Sequence, residues 1–157
     1  MIRAAIVVVS SKIVSGRESD TGREPLEQMI AGLPGIVAGY ETVPDDRKAI
    51  RDALVMLCER HDPDVIVTIG GTGVRPTDWA PEATRDVIEK EVPGIGEAMR
   101  QASLKKVMTA MLSRGTAGIR GRTLIVNLPG SPSGAKENLA VLAPVLEHTV
   151  QKIRKEQ

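Results

Sequence analysis

Ala4-Ala5-Ile6-Val7-Val8-Val9 is an unbroken apolar run whose last four residues are all β-branched. A strand with one wet face alternates apolar and polar residues, whereas a strand covered on both faces need not. The run reads as a strand buried on both sides, the kind that parallel sheets use. Three later stretches continue the theme: Ile36 to Val43, which alternates less cleanly, Asp64 to Ile69 with Val65-Ile66-Val67, and Thr123 to Leu128. Helical patterns separate them. Ser10 to Glu24 is polar and contains glycine, so it reads as a long loop, and Pro25 then opens a short helix carrying Leu26, Met29 and Ile30. After Pro44-Asp45-Asp46, the residues Ile50, Ala53, Leu54, Leu57 and Cys58 recur at the spacing of one helix face. Pro81 suits the first position of the next helix, with Glu82 at its positive end.

Pro93-Gly94 breaks that helix, and another follows with Ile95, Met99, Ala102 and Leu104. Ser131-Pro132 reads as a cap followed by proline at the first helical position. The last helix then carries Leu139, Leu142, Leu146, Val150 and Ile153 on one side, with a kink or restart expected at Pro144. Strands alternating with helices imply βαβ units and an α/β fold with a mostly parallel sheet, covered by helices on both faces. The 157 residues suit one domain over 1–157.

Composition narrows the function. Hydrophobic residues make up 41% and charged residues 26%, a globular balance that excludes disorder. The net charge of +1 supplies no field for nucleic acid or anionic membrane. With no Phe, and only Tyr40 and Trp79, the chain lacks the stacking platforms of single-strand binders. Cys58 is the single cysteine, so no internal disulfide forms and a reducing compartment is expected. It falls on an apolar helix face, where packing is its role. His61 and His148 lack zinc-site spacing. The opening apolar run is too short for a signal segment, and no stretch approaches the ~20 residues needed to span a bilayer. A cytoplasmic protein without membrane or nucleic-acid partners is the expectation.

In parallel sheets ligands bind beyond the carboxyl ends of the strands. Thr68-Ile69-Gly70-Gly71-Thr72-Gly73 follows the third strand there. Its glycines allow close approach of backbone N–H groups to an anion, and a plain tight turn accounts for the same residues. It is neither a Walker loop nor a dinucleotide fingerprint. Asn127-Leu128-Pro129-Gly130-Ser131-Pro132 follows the fourth strand, where a second anion site competes with an ordinary helix cap. Asp45 and Asp78 stand after the second and third strands, as hard ligands suited to a Mg²⁺–nucleotide complex. Asp45 is equally placed to cap the next helix, an explanation weaker for Asp78. Arg75, Arg114 and Lys136 could neutralise phosphate, although lone cations are usually solvated.

Together these motifs resemble one family. The glycine loop followed by Asp78-Trp79-Ala80-Pro81-Glu82-Ala83-Thr84 is similar to its GGTG…D-V-T-P-E-A-T signature. Pro93 to Leu104, Ala110 to Arg114, Ala117 to Gly121 and Asn127 to Pro132 follow in the family's order. This is the molybdenum-cofactor biosynthesis group that contains bacterial MogA and MoaB and the gephyrin G domain. The resemblance implies a three-layer α/β/α sandwich and molybdopterin adenylyltransferase activity. AMP passes from Mg²⁺-ATP to the molybdopterin phosphate, and pyrophosphate is released. It implies a homotrimer or a dimer of trimers, and a molybdate-insertion protein that takes the product. The family's essential aspartates fall on Asp45 and Asp78, as catalytic and metal-holding residues. Nucleotide and molybdopterin contacts fall on Ser10, Gly70, Gly71, Thr72, Gly73, Glu82, Ser103, Asn127, Pro129, Gly130, Ser131 and Pro132. A non-catalytic MoaB-like carrier or a trimeric scaffold is the alternative.

Three positions depart from the family pattern. Ser10-Ser11-Lys12 stands where Ser-Asp-Lys/Arg is common, so a carboxylate is lost and Ser11 is assigned no role. Ala80 replaces a threonine, forfeiting a helix cap worth ~1 kcal/mol. Thr77 stands where an arginine commonly precedes the second aspartate.

Overall fold

The apolar run at the start of the chain forms β1 (Ile2–Val9), and its alternate residues enter two different cores. Ile2, Ala4, Ile6 and Val8 face one cluster, and Ala5, Val7 and Val9 face the other. That division explains a strand with no polar face. In this computed structural model residues 1–31 and 35–155 are described. The Met29 side chain, expected in a helix face, lies outside the described residues.

Six strands form one sheet in the order β2-β1-β3-β6-β5-β4. The parallel part comprises β2 (Gly35–Val43), β1, β3 (Val65–Ile69) and β6 (Thr123–Leu128). Two short strands, β4 (Lys90–Glu91) and β5 (Ala117–Arg120), extend the β6 edge antiparallel. Neither was expected. β4 is two exposed charged residues, and β5 mixes Ala117 and Gly118 with Ile119 and Arg120, so no apolar run marks them.

Helices cover both faces, giving the α/β/α sandwich. On one side α2 (Arg23–Ala31), α5 (Pro93–Leu104) and α6 (Pro132–Arg154) bury Leu26, Met99, Leu139, Leu142 and Leu146. On the other, α3 (Arg47–His61) and α4 (Ala80–Val87) bury Ile50, Leu54, Leu57, Ala83 and Val87. Cys58 packs beside this second cluster, and burial pushes its thiol pKa up, in keeping with a packing role.

Local differences from the sequence reading have plain causes. The Ser10–Glu24 segment contains a one-turn helix, α1 (Ser11–Val14), because the Ser10 side chain caps it by accepting from Ile13 N–H at 3.2 Å. α2 begins at Arg23, two residues before Pro25. α4 begins at Ala80, so Pro81 is its second residue, and Trp79 at the cap offers no side-chain bond. Ala80 therefore lies inside the helix, not at the cap. α6 continues through Pro144 without a restart. Pro144 and Ala140, the residue whose carbonyl it leaves unbonded, both face solvent, where water can take the carbonyl. No helix among the described residues is long and apolar enough to cross a membrane.

Candidate active site

The loops after β1, β2, β3 and β6 converge at the carboxyl edge of the parallel strands. Main-chain bonds tie them in pairs. Ser10 N–H donates to Val43 O at 2.8 Å, and Gly70 N–H to Leu128 O at 3.1 Å. Gly70 adopts φ 101° and Gly71 φ 70°, in the left-handed region. A Cβ on Gly70 would lie 2.6 Å from the Val9 carbonyl oxygen, so only glycine fits. A Cβ on Gly130 would lie 3.3 Å from Gly70 Cα, so the β3 and β6 loops pass almost in contact.

Two adjoining cavities open here. The first, about 650 Å³, is lined by Ser10, Lys12, Asp45, Gly71, Arg75 and Asp78, among others. The second, about 370 Å³, is bordered by Met99, Ser103, Lys106, Val107, Leu112 and Asn138. Thr72, Gly73, Thr109 and Ser131 border both. The first lobe offers carboxylates, cations and main-chain groups. The second offers a thioether and aliphatic side chains with polar groups at intervals, the composition of a pocket for an organic ring.

The two aspartates are held in different ways. Asp46, not Asp45, caps α3, accepting from Ala49 N–H at 2.8 Å. Asp45 is thereby left to the cavity. Its Oδ2 accepts from Ser11 N–H at 3.0 Å, and its own N–H donates to Ser11 Oγ at 2.9 Å. Asp78 closes a turn on Arg75: its Oδ2 accepts from Arg75 N–H, and its N–H donates to Arg75 O, both at 3.0 Å. Gly73 lies against it, since a Cβ there would come within 2.9 Å of Asp78 Oδ2 and displace the carboxylate.

Arg114, expected as a phosphate cation, is used inside the protein. Its guanidinium donates to Gly73 O at 2.7 Å, to Asp78 O at 2.9 Å and to Glu82 Oε2 at 2.7 Å. It thus clamps the glycine loop to α4. Burial opposes ionisation of Glu82, but the Arg114 hydrogen bond and charge outweigh it and hold the carboxyl below its ordinary value. Glu82 borders neither lobe and acts behind the loop. Ala80 joins the same brace, donating its N–H to Gly71 O at 3.0 Å.

Asn127 is 1% exposed and its side chain is fully engaged. It accepts from Thr116 N–H at 3.1 Å and donates to the hydroxyls of Thr68 and Thr84, each at 2.9 Å. It ties α4 to β3 and β6 and borders the second lobe. Ser103 borders the second lobe and donates to Asn138 Oδ1 at 3.3 Å. Pro129 borders the second lobe, Gly130 the first, and Ser131 both while capping α6. Pro132 and Lys136 lie instead along a separate groove with Gly22 and Pro25. Of the three expected cations, only Arg75 reaches the first lobe.

Sequence reasoning passed over Glu18, Thr109, Lys106 and Asn138, which border the cavities but carry no motif of their own, and it gave Lys12 of Ser10-Ser11-Lys12 no role. It also missed the anchor of the β1 loop. Tyr40 donates its hydroxyl to Asp20 at 2.5 Å, and the Arg23 guanidinium lies 4.1 Å from its ring centre. Burial, with the Asp20 carboxylate, pushes the Tyr40 pKa upward.

A hydrated Mg²⁺ escorting a nucleotide takes one or two carboxylates and fills its remaining positions with water and phosphate oxygens. Asp45 and Asp78, each with one oxygen already fixed by main chain, fit that requirement. No group of three or more His, Cys, Asp or Glu suited to a metal occurs among the described residues, so an all-protein cage is not what these residues offer.

The family pattern described as a probable molybdopterin binding domain matches residues 5–148. The chain belongs to that family. It is 38% identical over 154 residues to the molybdopterin adenylyltransferase of Helicobacter pylori, covering 97% of this chain and 88% of that protein. It is 39% identical over 140 residues to the molybdopterin adenylyltransferase of Escherichia coli, covering 88% and 72%. The crystal structure of the molybdopterin biosynthesis enzyme MoaB from Thermus thermophilus superposes with a TM-score of 0.91 at 47% identity, covering 98% of this chain and 96% of that one. The glycine-lined lobe presents three carboxylates, Asp45, Asp78 and Glu18, and Asp45 and Asp78 are the two fixed by main-chain N–H groups.

Proposed function

We propose that the chain is a molybdopterin adenylyltransferase of molybdenum cofactor biosynthesis, a nucleotidyltransferase acting on ATP and molybdopterin with Mg²⁺. The observation that carries this reading is that Asp45 and Asp78 border one cavity together with the Gly70–Gly73 loop. The relatives named above support it.

The reaction asks little acid–base chemistry of the protein. A phosphate oxygen of molybdopterin, already anionic at neutral pH, attacks the α-phosphorus of ATP. The bond to the β-phosphate oxygen breaks, and pyrophosphate leaves with its electron pair. Positioning and charge neutralisation supply the rate. Main-chain N–H groups of Gly71 to Gly73 and of Gly130 and Ser131 hold the phosphates. Lys12 and Arg75 offset their charge. Asp45 and Asp78 would hold Mg²⁺ or its waters, and the bound ion would neutralise phosphate oxygens. The second lobe takes an organic ring against Met99 and Leu112.

A homotrimer is part of the reading. Val107 and, on the 3₁₀ turn Met108–Leu112 that follows it, Met108, Met111 and Leu112 form an exposed apolar strip, with Met108 70% exposed. The adenylylated product would pass to a molybdate-insertion protein, and the cytoplasm is the expected site of action. Mixing the purified chain with molybdopterin and Mg²⁺-ATP tests the reading. Pyrophosphate and adenylylated pterin in equal amounts support it. Pterin retained without pyrophosphate selects a carrier or scaffold instead.

A further inference from the structure

Ser11 is the position where a carboxylate common in the family is missing, and the sequence offers no role for it. The structure gives it a partner. Ser11 and Asp45, 34 residues apart, exchange two hydrogen bonds, Ser11 N–H to Asp45 Oδ2 and Asp45 N–H to Ser11 Oγ. One step earlier, Ser10 N–H donates to Val43 O. The ends of β1 and β2 are thus fastened by three consecutive bonds, the last two running through Ser11. Ser11 borders neither cavity, although its neighbours Ser10 and Lys12 border the first. Asp46 takes over the capping of α3, so no helix end competes for Asp45.

From this geometry we propose that Ser11 is a positioning residue that fixes the Asp45 carboxylate for a divalent cation. The proposal rests on the reading of Asp45 as a metal-facing group. Fixing both the main-chain N–H and one carboxylate oxygen of Asp45 restricts its rotamers and leaves Oδ1 to the cavity. The hydroxyl does this without charge. The two hydrogen bonds thus orient Asp45 without placing a second carboxylate beside it. Residues behind metal ligands contribute in this way, and their loss typically weakens metal binding 10- to 100-fold.

The test compares Ser11→Ala, Ser11→Cys, Ser11→Thr and Asp45→Asn in the full chain. Mn²⁺ stands in for Mg²⁺, and its binding with a non-hydrolysable ATP analogue is followed by electron paramagnetic resonance. The Mg²⁺ concentration giving half-maximal pyrophosphate release is measured alongside, with the melting temperature. Ser11→Ala should weaken Mn²⁺ binding and raise the Mg²⁺ requirement about 10-fold. Ser11→Cys, close in size but a poor acceptor, should do the same if the alanine variant folds badly. Ser11→Thr keeps the hydroxyl and should restore both values. Added to Asp45→Asn, Ser11→Ala should change Mn²⁺ binding no further. A folded Ser11→Ala or Ser11→Cys protein with unchanged Mn²⁺ affinity, beside a defective Asp45→Asn, overturns the role of Ser11 alone. Normal Mn²⁺ binding by Asp45→Asn overturns the reading of Asp45 itself, and the role of Ser11 with it.

Discussion

The two lobes of the cavity are built on opposite plans. The first is walled by loops pinned through main chain: Asp45 to Ser11, Asp78 to Arg75, and the glycine loop to Arg114 and Ala80. The second is bordered by the end of α5 and the 3₁₀ turn, in which no residue is buried. Val107 and Leu112 at this turn are apolar and exposed. A rigid polar lobe suits chemistry on phosphate, where small misplacements are costly. A looser apolar lobe suits holding a ring and meeting a neighbouring surface. On this division, substitutions in the first lobe should lower turnover and those in the second should lower ring binding.

The largest effect should come from replacing either carboxylate. Asp45→Asn and Asp78→Asn should each lower turnover on the order of 10³-fold, as loss of a preorganised charge does. Both asparagines can still accept the main-chain N–H that fixes the aspartate, so melting temperatures should barely move. A large drop in stability would return these residues to structural roles.

Arg114→Ala should come next. It removes the Glu82 carboxylate's hydrogen-bonded partner, leaving only Arg85 at 3.9 Å, and frees the glycine loop, costing ~1–3 kcal/mol of stability and ~10²-fold in turnover. Chemical denaturation and steady-state pyrophosphate release measure the two together. Full turnover in that variant would show that the loop needs no brace.

Asn127→Ala sharpens the comparison at the strand end that borders the second lobe. It strands the Thr68 and Thr84 hydroxyls and the Thr116 N–H in the core, at a cost of ~1–3 kcal/mol. The remaining activity should respond in kcat, with pterin affinity unchanged. Loss of pterin affinity without loss of stability would make Asn127 a direct ligand.

On the 3₁₀ turn beside the other lobe, Met108→Glu should split the proposed trimer, seen by sedimentation, and leave the melting temperature of the protomer nearly unchanged. An unaltered sedimentation coefficient would move the interface elsewhere.

The smallest effect concerns pH. The Glu82 carboxyl is held below its ordinary value of 4.5, so the folded state favours the ionised form. The stability this confers is present above that value and is lost as pH falls through the lower folded one. Solvent screening keeps it modest. Glu82→Gln should therefore lower the melting temperature slightly at neutral pH and flatten its fall below pH 4.5. An identical acid limb in the variant would mean that the Arg114 pair contributes nothing.

Much of this was legible because the signals were local. The β-branched run of β1 and the spacing of Ile50, Leu54 and Leu57 each report burial within one element. The glycine loop and the two aspartates were legible as motifs. The antiparallel edge was not, because β4 is too short and charged to leave a pattern. Pairings across the chain were silent too. Nothing in the sequence says that Ser11 meets Asp45, or that Arg114 turns inward to two carbonyls and Glu82. The choice between Asp45 and Asp46 as helix cap is similarly invisible, since adjacent aspartates carry the same propensity and only β2's exit direction separates them.

The most direct test of the division of labour uses Asp78→Asn in one preparation with two readouts, molybdopterin binding and pyrophosphate release from Mg²⁺-ATP. The account predicts near-normal pterin affinity with turnover lost. Near-normal turnover, or pterin affinity lost in step with it, would contradict the separation of the two lobes.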